Sequence, residues 1–444
     1  MHKVCVIGAG SSGLVAAKTL HERGIAFDCF ERGSRVGGLW RYENDSGQSV
    51  AYRSLHINTS RTQMQFADFP MPRDYPDFPH HSQIAAYFDS YVSHFGFGDR
   101  ITFRTSVRSV EPLTDGTFRV TTACDGAESS SRYSAVLVAN GHHWHPRLPT
   151  FPGSFDGETL HASRYRVPEA FAGKRVLVVG IGNSGCDIAC EVSRVAERAL
   201  LAVRSGVHLI PKYLFGRPLD RLVSPWMWRH LPLRVQQFIF GVALRLARGK
   251  QKRFHLPEPR HRILEEHPTI SSDLLNLIGH GRVCVKPNVR ELAGREVVFE
   301  DGSREPVDVI VYATGYDIRM PFLAPDVFEA QDNEVRLYKL VVHPERAGLY
   351  FIGLVQPWGA IMPLAEEQSK WVADLIEGKC GLPARAEMLK AIESDREKVR
   401  LRYTASRRHT IQVDFYPYLD ALRKERKRAP TARTEVKSEA RRAA

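Results

Sequence analysis

Short apolar runs, each closed by a glycine-bearing turn and followed by a helix-compatible stretch, recur along this chain. Val4-Cys5-Val6-Ile7 leads into Gly8-Ala9-Gly10-Ser11-Ser12-Gly13, and Val176-Leu177-Val178-Val179 leads into Gly180-Ile181-Gly182-Asn183-Ser184-Gly185. Runs that are apolar at nearly every position, rather than at alternate ones, predict strands covered on both faces, as in parallel sheets. Further strands are predicted at Phe27 to Phe30, Ala199 to Val203 and Leu349 to Leu354. Two more end in glycine turns: Ala135 to Ala139 before Asn140-Gly141, and Val307 to Tyr312 before Ala313-Thr314-Gly315-Tyr316. Pro363 to Glu377 predicts a helix. Strands alternating with helices give an α/β fold built on parallel sheets.

The two glycine-rich turns are dinucleotide fingerprints in their required strand–turn–helix context. Gly8 and Gly180 permit the tight turn, Gly10 and Gly182 let backbone amides approach a pyrophosphate, and Gly13 and Gly185 let helix and strand pack closely. The residues after the second strand of each unit separate the two ligands. Glu31 ends the first, and its carboxylate suits both hydroxyls of an unphosphorylated ribose, as in the adenosine of FAD. Arg204-Ser205 ends the second, where a guanidinium suits a 2′-phosphate and so NADP rather than NAD. The fold class is therefore a two-dinucleotide-binding-domain flavoprotein, a Rossmann-like FAD domain with an inserted Rossmann-like NADP domain.

Pro146, Pro149 and Pro152 mark the outgoing linker, and the Asp301-Gly302 turn marks the return. The expected division is 1–150 for the first part of the FAD domain, 151–300 for the NADP domain, 301–420 for the second FAD part, and 421–444 for a basic, disordered tail. The chain of 444 residues has a formal charge of +12, but nine Lys or Arg against three Glu from Arg423 onward carry half of it. With no aromatic residue in that tail, nucleic-acid binding is not expected. Seven scattered cysteines imply no disulfide framework, the histidines form no regular metal-ligand array, and the chain opens almost directly in a strand with no room for a signal peptide, which points to the cytoplasm. Trp226 to Leu246 is apolar but interrupted by Arg229, Pro232, Arg234 and Arg245. It reads as a segment packed against the protein rather than a membrane span, with peripheral membrane contact left open.

Phe155, Gly157, His161 and Tyr165 fill every specified position of the pattern FxGxxxHxxx(Y/F), which identifies flavin-containing monooxygenases. The resemblance extends to Gly37-Gly38-Leu39-Trp40, Asn58-Thr59-Ser60-Arg61, Phe66-Ala67-Asp68-Phe69-Pro70, the Ala313 to Tyr316 turn, and Gln356-Pro357 before Glu367-Gln368, so it covers roughly residues 3 to 420. It implies that NADPH reduces FAD and that a C4a-hydroperoxide formed from O₂ passes one oxygen to an amine nitrogen or a sulfide of a small molecule. By the same resemblance Asn58 lies beside the flavin; Gly38, Leu39, Trp40 and Gln356 contact the flavin side; Thr314 and Gly315 line a nucleotide; Ser184 meets the pyrophosphate. Lys212 is a further candidate for the 2′-phosphate, and His161 and Tyr165 are read as holding the domain hinge. Tyr165 departs from related Baeyer–Villiger enzymes, which carry Trp there, so carbonyl oxygenation of that type is the runner-up; Val203 to Pro211 is similar to indole-pyruvate-type members, which leaves the substrate class open, and a non-catalytic redox sensor is a remote alternative. The substrate and any homodimer are not legible.

Overall fold

The computed structural model describes residues 3–222 and 224–430. The described chain forms two compact units: one comprises the residues up to Ser49, Thr59–His142 and those from Ile318 onward, the other Val50–Asn58 and His143–Asp317.

The first unit is built on a five-stranded sheet in the order Leu349–Phe351, Ala135–Val138, Val4–Ile7, Phe27–Phe30, Ile101–Thr102, parallel throughout. Val4 to Ile7 are buried on both faces, which is why the run shows no polar alternation. Helix Ser11–Glu22 follows the first fingerprint, and helix Met362–Glu377 confirms the prediction at Pro363 to Glu377. An antiparallel sheet of Thr105–Pro112, Phe118–Cys124 and Ala127–Tyr133 also belongs to this unit.

The second unit repeats the plan. Its sheet runs Glu158–His161, Val309–Tyr312, Arg175–Val179, Arg198–Ala202, Val283–Lys286, again all parallel. Alternate residues of strand Arg175–Val179 feed different cores: Val176 and Val178 pack with Ile188 and Ala189 of helix Asn183–Val192, whereas Leu177 and Val179 pack with Val297 and Phe299 on the opposite face.

Three expectations are corrected. The second crossover falls after Asp317, not at Asp301-Gly302, because strand Val309–Tyr312 bonds between the strands of the inserted sheet. A buried strand looks the same in sequence whichever parallel sheet receives it. The basic tail does not begin at 421: helix Phe415–Arg426 runs through it, with Leu422 buried and Arg426 bonded to both Glu367 (2.7 Å) and Asp374 (2.8 Å). Residues 431–444 of that expected tail lie outside the described part. Finally, Trp226 to Leu246 is not wholly covered by protein. It forms helices Pro225–His230 and Leu233–Arg248, with Trp226, Phe238 and Leu246 exposed.

Candidate functional site

The first and last glycines of the two fingerprints meet the same steric limits. Gly8 has φ +99°, and a Cβ there would lie 2.8 Å from the Ala139 carbonyl oxygen; Gly180 has φ +108°, and its Cβ would lie 2.7 Å from that of Ala313. A side chain at Gly13 would stand 1.8 Å from the Gly8 carbonyl oxygen, and one at Gly185 2.0 Å from that of Gly180. These contacts are with backbone, so no rotamer relieves them. Gly10 is different: its Cβ direction meets only the Cα of Gly38, at 3.8 Å, which brings Gly38-Leu39-Trp40 alongside the first turn. The N-caps Gly10 and Gly182 offer no side-chain acceptor to the first-turn amides of their helices. Both turns thus fit a diphosphate held by backbone N–H groups and the positive end of a helix.

Glu31 and Arg204 stand in contrasting settings. The Glu31 carboxylate is buried and accepts from the Ala9 amide at 2.7 Å and the Gly33 amide at 2.8 Å. Burial raises its pKa above the usual range, and the Gly33 and Ala9 amides oppose that rise. Arg204 and Ser205 are exposed. Strand pairing sets Phe30 beside Ile7 and Ala202 beside Val179, so Arg204 lies one residue further along its strand than Glu31 does.

The residues of the FxGxxxHxxx(Y/F) pattern have structural tasks inside the second unit. Gly157 lies where a Cβ would stand 2.5 Å from the Asp308 carbonyl oxygen. His161 accepts the Ser163 amide on Nδ1 at 3.1 Å and so presents Nε2–H to the Gly315 carbonyl, 3.1 Å away. Burial lowers its pKa, and this neutral tautomer is a tie between strands rather than a proton shuttle. Tyr165 is buried, with its hydroxyl donating to Glu191 at 2.6 Å and its ring near Phe171 and Tyr52. Thr314 and Gly315 are in this unit too: the Thr314 hydroxyl donates to the Arg147 carbonyl at 2.6 Å, and Arg147 donates back to the Thr314 carbonyl at 2.7 Å. Ser184 lies in the first turn of helix Asn183–Val192, and Gln356 is buried in strand Gln356–Trp358 of the first unit.

Comparison with known proteins agrees with this geometry. The family profile described as "FMO-like: Flavin-binding monooxygenase-like" matches residues 1–434. Flavin-containing monooxygenase 5 of Oryctolagus cuniculus is 41% identical over 438 residues, 95% of this chain and 82% of the relative. Flavin-containing monooxygenase 3 of Homo sapiens is 38% identical with the same coverage of both chains. The chain belongs to the flavin-binding monooxygenase family. As a flavin-containing monooxygenase, it is an NADPH-dependent oxygenating enzyme with FAD and NADP as cofactors. The solved structure of S-allyl-L-cysteine S-oxygenase from Allium sativum matches it with a TM-score of 0.73 and 26% identity, over 99% of this chain and 93% of that one.

Several contacts around the sequence-predicted residues escape sequence reading. Asn58 ends the span Val50–Asn58, which belongs to the second unit although the residues on either side of it belong to the first. Tyr52 is buried and hydrogen-bonded through its hydroxyl to Asp187, the Arg53 amide donates to the Arg166 carbonyl at 2.9 Å, and the Lys212 ammonium donates to the Ile57 carbonyl at 3.2 Å. Lys212, expected beside Arg204, is therefore drawn inward to the Asn58 span. Asn183 is a second omission: its side chain accepts the Ile270 amide at 2.6 Å, fastening that loop to the fingerprint helix. Neither contact has a local signal, because its partner lies far away in sequence. Gln368, already part of the resemblance, is fully buried; it accepts the Gly353 amide and donates to Tyr418, each at 2.8 Å.

Proposed function

We propose that the first unit holds FAD, that the second holds NADPH, and that the enzyme transfers one atom of O₂ to an amine nitrogen or a sulfide sulfur of a small molecule. The observation that carries the cofactor assignment is the contrast between Glu31 and Arg204. Each Glu31 oxygen already accepts one backbone amide, and each retains capacity for a ribose hydroxyl, which a guanidinium could not bond as an acceptor. Arg204, exposed and one residue further out, suits a phosphate projecting from a ribose, with the Ser205 hydroxyl as a second donor. Flavin, when bound, supplies the redox chemistry that activates oxygen. The protein's own residues bind, orient and exclude water. The Asn58 amide can donate and accept without releasing a proton, so it can hold a polar group without discharging it.

Oxygenation at a soft nucleophile is supported by the Allium sativum S-oxygenase, whose name states that chemistry and whose fold spans nearly this whole chain. All seven cysteines are unpaired, which suits a reducing compartment such as the cytoplasm. Flavin-loaded protein given NADPH, isotopically labelled O₂ and a panel of tertiary amines, thioethers and ketones tests the reading. Label in N-oxide or sulfoxide, in step with NADPH consumed, is the expected result. Label found only in esters from the ketones, or NADPH recovered solely as hydrogen peroxide, overturns it.

A further inference from the structure

Asp187 and Glu191 stand one turn apart on helix Asn183–Val192, the helix that opens at the second glycine fingerprint. Like charges at this spacing repel, and a carboxylate in the last turn meets the negative end of the helix, so local chemistry favours neither acid. Their contacts account for them. Tyr52 donates its hydroxyl to Asp187, and Ser54 donates to one oxygen of Glu191. The other Glu191 oxygen accepts the Tyr165 hydroxyl at 2.6 Å, and the rings of Tyr52 and Tyr165 meet edge to face with centroids 5.8 Å apart. The fingerprint helix thus grips the span Val50–Asn58 at Tyr52 and Ser54, and the last tyrosine of FxGxxxHxxx(Y/F) braces one of the two gripping carboxylates.

The same helix therefore has two tasks. At its N-terminus it has no side-chain cap and fits a diphosphate; along its flank it holds the segment that ends at Asn58. Packing reinforces the second task, because Tyr52 and Leu55 of the span lie in one apolar cluster with Ile188 and Ala189 of the helix. A ligand that steadies the helix steadies the span with it. Linkage makes the effect reciprocal: whatever factor the ligand contributes to ordering the span, an ordered span returns in affinity for the ligand.

On the reading that NADP occupies the second unit and that Asn58 serves oxygen transfer, we propose that Asp187 and Glu191 are positioning residues that couple coenzyme occupancy to the placement of the Asn58 amide. Loss of coenzyme loosens the span, and a loosened span weakens coenzyme binding and lets more of the NADPH consumed appear as hydrogen peroxide. The double variant Tyr52→Phe, Ser54→Ala removes both gripping hydroxyls and alters neither the fingerprint nor Asn58. In full-length, flavin-loaded wild-type enzyme, NADP⁺ should slow hydrogen exchange at the Arg53 and Leu55 amides, which donate to the Arg166 and Tyr52 carbonyls at 2.9 Å each. The double variant should lose that protection, and its Kd for NADP⁺ in equilibrium dialysis should rise on the order of fivefold. Its peroxide per NADPH, at saturating NADPH, should rise as well. Ser54→Ala alone, a change at an exposed residue, should move each readout part of the way, and Ser54→Thr, which keeps a hydroxyl, should move it less. A double variant that melts earlier yet binds NADP⁺ and forms peroxide as the wild type does has lost only a structural contact, and overturns the proposal. Protection by NADP⁺ that survives the loss of both hydroxyls overturns it too. Wild-type enzyme that fails to bind NADP⁺, or an Asn58→Ala variant with unchanged peroxide yield, overturns the underlying reading along with it.

Discussion

The ammonium of Lys212 lies 3.2 Å from the carbonyl oxygen of Ile57, the residue just before Asn58. Burial lowers the Lys212 pKa, and Asp187 and Asp273 oppose that by favouring its charged form. At its other end the same span is held by Tyr52 on Asp187, so two contacts from the second unit fix the backbone that presents the Asn58 amide.

Asn58→Ala should leave NADPH-dependent bleaching of the flavin nearly intact while more of the NADPH consumed is recovered as hydrogen peroxide. Lys212→Met should show the same uncoupling more weakly, with peroxide rising by a factor on the order of five, the equivalent of about 1 kcal/mol for a lost hydrogen bond. The ratio of product to NADPH is the measurement. If Asn58→Ala leaves that ratio unchanged in folded, flavin-loaded protein, the asparagine belongs only to a turn. Uncoupling by Asn58→Ala but not by Lys212→Met would show that Lys212 does not position it.

Glu31→Ala should fold and be purified largely without flavin, since the variant loses the carboxylate that accepts the Ala9 amide of the first fingerprint. It also leaves the Ala9 and Gly33 amides without their acceptor, so Glu31→Gln, which keeps an acceptor oxygen, should recover part of the flavin content. A fully yellow, active Glu31→Ala protein would remove the main support for FAD in the first unit.

Arg204→Ala should raise the KM for NADPH with little effect on NADH. A charge-assisted phosphate contact is worth about 2 kcal/mol, or roughly thirtyfold in KM. Equal wild-type rates with both coenzymes would contradict the assignment of the exposed guanidinium to a 2′-phosphate.

Asp187 gives a pH dependence. Burial raises its pKa to about 6, with Glu191 and Asp273 adding to the rise and Tyr52 and Lys212 opposing it. An unfolded Asp titrates near 3.9. Between about pH 4 and 6 the folded protein therefore holds a proton that the unfolded chain has released, and stability falls as pH rises across that window. Asp187→Asn can still accept from Tyr52 but cannot ionise, so its Tm should fall less between about pH 4 and 6, by an amount on the order of a few °C. Identical slopes for wild type and variant would show that Asp187 is ionised throughout.

The sequence by itself determined what depends on local backbone chemistry. The steric demands at Gly8, Gly13, Gly180 and Gly185 leave no other common residue, so both turns, their strands and the helices after them were legible, as was the family from four fixed positions in the linker. The charges of Glu31 and Arg204 could likewise be read beside their strands. Only the tertiary structure decided which sheet received Val309–Tyr312, because hydrogen-bonding partners of a buried strand leave no mark in its own residues. It alone placed Tyr52 on Asp187 and Lys212 on Ile57, contacts spanning more than a hundred residues of chain. It also turned Phe238 and Leu246 outward: helical periodicity identifies an apolar face, but only the surrounding fold decides whether that face meets protein or solvent.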